Sequence, residues 1–338
     1  MAELVAHAPT STIIKKFLSN APALFGDITL IRIPKIRMSE YNGNEKVYAS
    51  NPQEVFDKLL KLQEDGVSKL HLMSDFDRTM TLCNYQDIEC ETSFSVFRRS
   101  AVNPDGSSEK FKYTERFIVN VPPPYYYINR VYQRRTEEAL NQFVRDRLNL
   151  ETVEGQVTET SYIARNGLDA FLQYNMKNDV SMSVVSSGIL NIIISFCHAF
   201  IDVKEYNNLK FYGNALTFNS DGLIDGFKSP VVSPLTKSTV FGYQGTDKRN
   251  IFLLGDQLHD VHMNRLLPTK NVIKYGFFNS KKRETPLKIE DYIEKYDVVS
   301  HDGNFQIPHL FMRFINGEVS RRELEKVFAD RIIQKSDQ

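Results

Sequence analysis

Two aspartates that could carry out phosphate chemistry stand one residue apart in SDFDRTMT, residues 74–81. They follow the apolar run VSKLHLM, and a buried strand there would bring both carboxylates out at its carboxyl end, where open α/β sheets bind ligands. Asp75 and Asp77 would point in similar directions, because side chains along a strand repeat every two residues. Carboxylates this close repel each other, which favours a bound divalent cation. An acidic, solvated turn would carry the same short pattern.

Hydroxyl-bearing residues occupy two further places where phosphate could be held. Thr79, two residues beyond Asp77, is suited to fixing the turn with its hydroxyl. Ser186, followed by Ser187 and Gly188, closes the strand pattern DVSMSVVS and opens a helical pattern. A hydroxyl and backbone N–H groups at the start of a helix form a natural seat for a phosphate. Alone, Ser-Ser-Gly at a strand end is usually a turn.

A lysine and a second pair of aspartates come later in the chain. Lys237 lies in SPLTKSTVFG and, taken alone, would be a surface charge. Asp256 follows the apolar strand pattern NIFLL, and Asp260 is expected one helical turn later on the same face. An aspartate in the place of Asp256 can also be a helix N-cap. Four such features at strand ends, in this order, favour a phosphate site over separate coincidences.

The segments around these residues alternate between strand and helix patterns. NPQEVFDKLLKLQEDG predicts a helix that Asn51 caps and Gly66 ends. After residue 178 the chain shows a buried strand, the helix pattern SGILNIIISFCHAF, a hairpin turning at NSDG, and the strand patterns NIFLLGD, NVIKYGFF and YDVVSHDG. This alternation predicts an α/β fold with a parallel sheet and helices on both faces.

Pattern also divides the chain into domains. Residues 1–50 carry few regular signals and are expected to form an irregular N-terminal arm. Residues 84–165 are aromatic and charged, and TEEALNQFVRDRL and TSYIARNGLDAFLQY alternate with helical period, which predicts an inserted helical cap. Residues 51–83 and 166–338 would then form the core that carries the catalytic residues.

The composition is that of an ordinary globular protein. The 338 residues include 42 Lys plus Arg and 42 Asp plus Glu, a balance that gives no support for a nucleic-acid or membrane partner. Three scattered cysteines are too few for a disulfide framework or a four-ligand zinc site. The start shows no signal peptide, and residues 184–196 are too short and polar to span a bilayer, so a cytoplasmic protein is expected.

The motifs together resemble those of the haloacid dehalogenase superfamily. Its four motifs would correspond to Asp75 with Asp77 and Thr79, Ser186, Lys237, and Asp256 with Asp260. Within that superfamily, KLHLMSDFDRTMTL, VVSSGIL, GLIDGFKSPVVSPLTK, IFLLGDQLHDVHM and NVIKYGFFN resemble the type III cytosolic 5′-nucleotidases, also called pyrimidine 5′-nucleotidases. The resemblance implies a Rossmann-like parallel core, a helical cap, Mg²⁺ as cofactor, and hydrolysis of nucleoside 5′-monophosphates.

The resemblance also implies a role for each acid. Asp75 would attack phosphorus and form an aspartyl-phosphate. Asp77 would protonate the departing ribose 5′-oxygen and then deprotonate the water that hydrolyses the intermediate. Mg²⁺ would be held by the Asp75 carboxylate, the Asp77 backbone carbonyl and Asp256, with Asp260 supporting the ligands from behind.

The remaining motif residues would serve the substrate. Ser186 and Ser187 would hold phosphoryl oxygens, Lys237 would neutralise their charge, and Thr79 would steady the loop beneath them. The expected partner is a small-molecule nucleoside monophosphate, bound by a monomer.

Three departures from the family lie close to substrate recognition, and one of them is TSFSVF at 92–97, which only half matches a family cap segment. The family has a Glu after a Tyr-Tyr pair in its base pocket, and here YYYIN places Asn129 there. Arg78 stands where the family has an apolar residue. An amide can donate and accept hydrogen bonds whereas a carboxylate only accepts. The preferred base is therefore open.

Two other functions remain open on the residues alone. One is a phosphatase for another small monoester, such as a sugar phosphate. The other is a retired member that binds nucleotides without turnover. The presence of Asp75, Asp77, Lys237 and Asp256 argues against retirement.

Overall fold

The chain folds around a central sheet in a computed structural model that describes residues 28–33, 36–39, 45–100, 125–201, 203, 206–239, 248–279 and 288–334. Side chains are described for these residues except 98–100, 125–132, 331 and 333–334. The strands are β1 (Arg37–Met38), β2 (Lys46–Ala49), β3 (Leu70–Ser74), β4 (Asn84–Tyr85), β5 (Ile88–Glu89), β6 (Ile163–Ala164), β7 (Ser181–Ile189), β8 (Leu209–Asn214), β9 (Leu216–Phe218), β10 (Ile224–Phe227), β11 (Asn250–Gly255), β12 (Asn271–Phe278), β13 (Val298–His301) and β14 (Ile332–Gln334). The helices are α1 (Pro52–Asp65), α2 (Ser95–Ser100), α3 (Tyr125–Arg145), α4 (Leu150–Gln156), α5 (Leu168–Lys177), α6 (Leu190–His198), α7 (Ile289–Ile293), α8 (Gln306–Ile315) and α9 (Arg321–Arg331).

The central sheet has eight strands in the order β14-β2-β13-β12-β11-β3-β7-β8. From β13 to β8 each strand runs parallel to its neighbour, whereas β2 pairs antiparallel with β13. The predicted parallel α/β sheet is thus confirmed. Because β3 lies between β11 and β7, the residues that follow these three strands meet at one edge of the sheet.

The middle of the sheet is covered on both faces. Leu72 of β3 and Leu254 of β11 belong to one buried apolar cluster, and their chain neighbours Met73 and Leu253 belong to another. Adjacent side chains of a strand point to opposite faces, so both faces need an apolar partner. This explains why β3 and β11 are continuous buried runs.

The first predicted helix forms with the capping that the sequence indicates. The Asn51 side chain accepts a hydrogen bond from the Glu54 N–H at 3.2 Å. Gly66 ends the helix with φ 83°, a conformation that side-chain-bearing residues rarely adopt. The predicted hairpin at NSDG is also confirmed, as the antiparallel pair β9 and β10.

Two segments differ from the sequence predictions. Lys46–Ala49, expected to be irregular, forms β2 and pairs with a strand from near the far end of the sequence, a partner that local pattern cannot reveal. Residues 160–165 were expected to be helical, but Ile163–Ala164 forms β6 and α5 begins only at Leu168. Gly167 precedes that helix in the left-handed conformation, which interrupts the helical period. The separate cap at 84–165 stays a prediction.

Two further features concern the membrane and thiol predictions. Among the described residues, no helix is both long and apolar enough to cross a bilayer. Cys83, Cys90 and Cys197 are buried thiols that form no disulfide. Burial raises the pKa of Cys90 to about 12, so this thiol stays protonated near neutral pH.

Candidate active site

Asp75 is the first residue after β3 and is buried. Its N–H donates to the carbonyl of Leu254 at 3.0 Å, so the neighbouring strand β11 fixes where the acid emerges. Thr79 Oγ1 donates to Asp75 Oδ2 at 3.2 Å, so its hydroxyl holds the aspartate as well as the turn. Phe76 is fully buried and packs edge-on against Phe196, with ring centroids 5.1 Å apart. The sequence Asp-Phe-Asp thus anchors the turn in the core while its acids face the sheet edge.

Lys237 is a buried ammonium group and not a surface charge. Its Nζ donates to Asp75 Oδ1 at 2.6 Å and to Asp260 Oδ1 at 2.8 Å. Burial disfavours the charged form, but the Asp260 and Asp75 carboxylates outweigh it and hold the pKa of Lys237 well above its usual value. A permanent positive charge therefore lies against one oxygen of Asp75.

Three carboxylates form a buried cluster beside this lysine. One oxygen from each of Asp75, Asp256 and Asp260 lies within 4.8 Å of the others. When ionised, three carboxylates against the one ammonium of Lys237 leave two negative charges in a buried place, which is costly unless a cation balances them. Oxygen ligands of this kind suit Mg²⁺ and Ca²⁺. The cluster fits a divalent cation.

The aspartates of the cluster differ in the hydrogen bonds that they accept. Both oxygens of Asp260 already accept hydrogen bonds, Oδ1 from Lys237 and Oδ2 from the Gln257 N–H at 3.0 Å. Asp256 Oδ2 accepts a long hydrogen bond of 3.5 Å from Asn279 Nδ2. Lys237 and the backbone of its own turn thus hold both oxygens of Asp260, which suits this residue to supporting the cluster. The predicted helical turn between Asp256 and Asp260 is wrong, because the Asp260 N–H donates to the Gln257 carbonyl at 3.1 Å and closes a tight turn that leads to a short 3₁₀ helix at Asp260–His262.

Asp77 is half-buried and faces the same sheet edge. Its Oδ1 accepts a hydrogen bond from the Ser93 N–H at 2.7 Å, and its Oδ2 accepts one from Ser93 Oγ at 2.6 Å. Burial outweighs these hydrogen bonds and raises the pKa of Asp77 to about 6. A carboxyl with such a pKa can both give and take a proton near neutral pH, as a general acid and base must.

The Ser186 segment lies on the other side of β3. Ser186 is buried, its Oγ accepts the Gly188 N–H at 3.0 Å, and the Ser187 carbonyl accepts from Asn214 Nδ2 at 2.7 Å. The helix predicted from Ser187 begins only at Leu190, because β7 continues to Ile189 with an irregular register. The hydroxyl of Ser186 is therefore presented by a bulged strand end rather than by a helix N-terminus.

Sequence reasoning missed Arg165, which supports the turn after Asp77. Its fully buried guanidinium donates to the carbonyls of Arg78 at 2.6 Å, Thr79 at 2.7 Å and Gly303 at 2.8 Å, and to Asn279 Oδ1 at 2.6 Å. Arg78 has φ 66°, so these bonds hold a residue in the left-handed region. A lone Arg in an apparently helical segment gives no signal for this role.

The outcome for the two residues tied to substrate recognition is mixed. Arg78 is buried, and its guanidinium pairs with Glu89 at 3.3 Å. Asn129 lies on α3, but its side chain lies outside the described residues. Its place in a base pocket stays a prediction.

The fold and the site define the class of protein. A parallel α/β sheet with an Asp-x-Asp turn after a central strand, a buried lysine and an acidic pair after the neighbouring strand is the arrangement of the haloacid dehalogenase superfamily. A family model described as "Pyrimidine 5′-nucleotidase (UMPH-1)" matches residues 78–316. The chain belongs to this family and is a phosphoric monoester hydrolase of the 5′-nucleotidase class.

Curated and solved relatives agree with this assignment. A 7-methylguanosine phosphate-specific 5′-nucleotidase A from Xenopus laevis is 26% identical, over 82% of this chain and 98% of the relative. The human 7-methylguanosine phosphate-specific 5′-nucleotidase is 24% identical, over 75% of this chain and 86% of the relative. The crystal structure of cytosolic 5′-nucleotidase IIIB bound to cytidine has the same fold, with a TM-score of 0.62, 20% identity, and coverage of 80% of this chain and 94% of that one.

Proposed function

We propose that the protein is a Mg²⁺-dependent 5′-nucleotidase that hydrolyses nucleoside 5′-monophosphates to a nucleoside and phosphate through an aspartyl-phosphate. One observation carries the proposal: Asp75 is held by Lys237 and Thr79, and Asp77, whose pKa burial raises to about 6, lies two residues away. The relatives named as nucleotidases support the substrate class. The cytosolic solved relative supports a cytoplasmic location, and a monomeric state stays a prediction.

The first displacement forms the covalent intermediate. An oxygen of Asp75 attacks phosphorus, a P–O–Asp75 bond forms, and the bond from phosphorus to the ribose 5′-oxygen breaks. The 5′-oxygen is a poor leaving group as an alkoxide, so Asp77 gives it a proton as it departs. Thr79 and Lys237 fix the two oxygens of Asp75, which limits how the nucleophile can approach.

The second displacement regenerates the enzyme. Asp77, now ionised, takes a proton from a water that attacks phosphorus, and the bond from phosphorus to Asp75 breaks to release phosphate. Lys237 and the Ser186–Ser187 segment would hold the phosphoryl oxygens through both steps. Asp75, Asp256 and the Asp77 carbonyl would hold Mg²⁺, which supplies charge neutralisation at the phosphoryl group when bound.

Phosphate release across a substrate panel tests this function. With Mg²⁺ present, the panel would contain the nucleoside 5′-monophosphates and a set of sugar phosphates at equal concentrations. We expect the nucleoside monophosphates to be hydrolysed with the higher kcat/KM. Faster hydrolysis of sugar phosphates would assign the enzyme to another monoester, and no release from any substrate would make it a retired member.

Base selection is proposed to differ from that of relatives specific for 7-methylguanosine phosphate. Asn129 stands where the family has Glu, and an amide offers no charge attraction to a positively charged methylated guanine. The preference for this base should therefore be weak, with pyrimidine monophosphates still accepted.

Asn129→Glu is expected to shift kcat/KM toward 7-methylguanosine monophosphate, relative to cytidine and uridine monophosphates, by about ten- to a hundredfold. The measurement is the ratio of kcat/KM values for the three substrates. Asn141→Glu is a matched control, because Asn141 is exposed on the same helix α3. Unchanged ratios in Asn129→Glu would place this residue outside the base pocket.

A further inference from the structure

The general acid Asp77 is held by one residue from elsewhere in the sequence. Ser93, sixteen positions later, donates its N–H to Asp77 Oδ1 at 2.7 Å and its hydroxyl to Oδ2 at 2.6 Å. Ser93 is fully buried. When both oxygens of a carboxyl group accept hydrogen bonds from one residue, the side chain cannot rotate. The direction in which protonated Asp77 presents its proton is therefore set before substrate binds.

The direction of the Ser93 hydroxyl proton follows from its other hydrogen bond. Ser93 Oγ also accepts a hydrogen bond from the Ile189 N–H at 3.1 Å. A serine hydroxyl has one proton to donate. Since the Ile189 N–H uses a lone pair of Ser93 Oγ, the single proton is left to point at Asp77. The bulged end of β7 thereby orients Ser93, and Ser93 orients Asp77.

Gly188 shows how closely these groups are packed. A Cβ atom built on Gly188 would lie 1.9 Å from Ser93 Oγ and 2.7 Å from Asp77 Oδ2. Gly188 is not among the glycines with positive φ, so space and not backbone conformation requires glycine here. A side chain at this position would push Ser93 away from Asp77.

We infer that Ser93 is the positioning residue of the general acid, and that Gly188 leaves the room for it. The inference rests on the proposed function. During the first displacement the proton moves from Asp77 to the leaving oxygen, and the carboxylate that remains is stabilised by the Ser93 N–H and hydroxyl. The loss of kcat on replacing Ser93 should therefore be larger for a leaving group that needs a proton.

Comparing substrates with different leaving groups distinguishes this role from a merely structural one, which would lower kcat equally for both. A nucleoside leaves as an alcohol and needs the proton, whereas p-nitrophenolate is stable as an anion. Ser93→Ala should lower kcat for a nucleoside 5′-monophosphate by about ten- to a hundredfold with KM little changed. The same variant should lower kcat for p-nitrophenyl phosphate by less than about threefold.

Two further variants complete the test. Ser95→Ala is the matched control, because the Ser95 hydroxyl donates to Glu91 rather than to Asp77. It should leave kcat unchanged for both substrates. Gly188→Ala would place a methyl group against Ser93 and Asp77 and also 3.1 Å from Ser186 Oγ, so it should lower kcat for both substrates, and more for the nucleoside 5′-monophosphate. Equal losses of kcat on both substrates in Ser93→Ala would overturn the role of Ser93. A wild-type enzyme that hydrolyses neither substrate would instead refute the proposed function.

Discussion

Asp75→Asn is expected to lower phosphate release by at least about a thousandfold while the protein remains folded. The amide has the shape of the carboxylate but is a far weaker nucleophile, so the covalent intermediate cannot form. Lys237 keeps its second partner, Asp260, at 2.8 Å, so no buried ammonium is left without an acid. Steady-state phosphate release and thermal unfolding of the same preparation measure the two effects separately.

The matched control for this substitution is Asp225→Asn. Asp225 is exposed on β10, where it accepts a hydrogen bond from Thr217, and its loss should leave turnover unchanged. Near-normal turnover in Asp75→Asn would show that another group attacks phosphorus. The melting temperatures of both variants should stay close to that of the wild type.

Removal of divalent cations is expected to abolish activity, and Mg²⁺ should restore it. The cluster of Asp75, Asp256 and Asp260 places three buried carboxylates where a dianionic phosphate must also bind, and repulsion would oppose binding without a cation. Ca²⁺ should restore activity poorly, because its longer and more flexible coordination would position the nucleophile less well. Phosphate release in excess chelator, then with each metal added back, is the measurement.

Asp256→Asn tests whether Asp256 is a ligand of the divalent cation. It should raise the Mg²⁺ concentration needed for half-maximal activity by about tenfold or more, since a neutral amide replaces a charged ligand. Asp225→Asn again provides the control and should keep the wild-type Mg²⁺ requirement. Full activity of the wild type in excess chelator would contradict the metal-dependent account.

The sequence predicted the parts of the fold that local patterns specify. The continuous apolar runs before Asp75 and Asp256 and the capping residues of α1 each report a structure formed by nearby residues. Strand β2 escaped prediction because four residues give little periodicity, and its place depends on pairing with β13. The helix expected at residues 160–165 failed for the converse reason: a helical period was present, but pairing of β6 with β1 prevailed.

The residues of the candidate site also divide into those that a local sequence pattern marks and those that it does not. Asp75, Asp77 and Asp256 could be chosen because they follow strands, where sheet topology brings carboxyl ends together. Ser93 and Arg165 could not, since neither follows a long strand and each acts through contacts across many residues. A motif marks the groups that react, whereas the groups that orient them are identified by distances alone.

The most direct test of the account is to trap the aspartyl-phosphate on wild-type enzyme. Enzyme turning over a nucleoside 5′-monophosphate with Mg²⁺ would be quenched in acid and treated with borohydride, which reduces an acyl phosphate to an alcohol. We predict that peptide mapping by mass spectrometry finds residue 75 converted to homoserine only in samples that contained substrate. Active turnover with residue 75 unmodified, or with the modification at another carboxylate, would contradict Asp75 as the nucleophile.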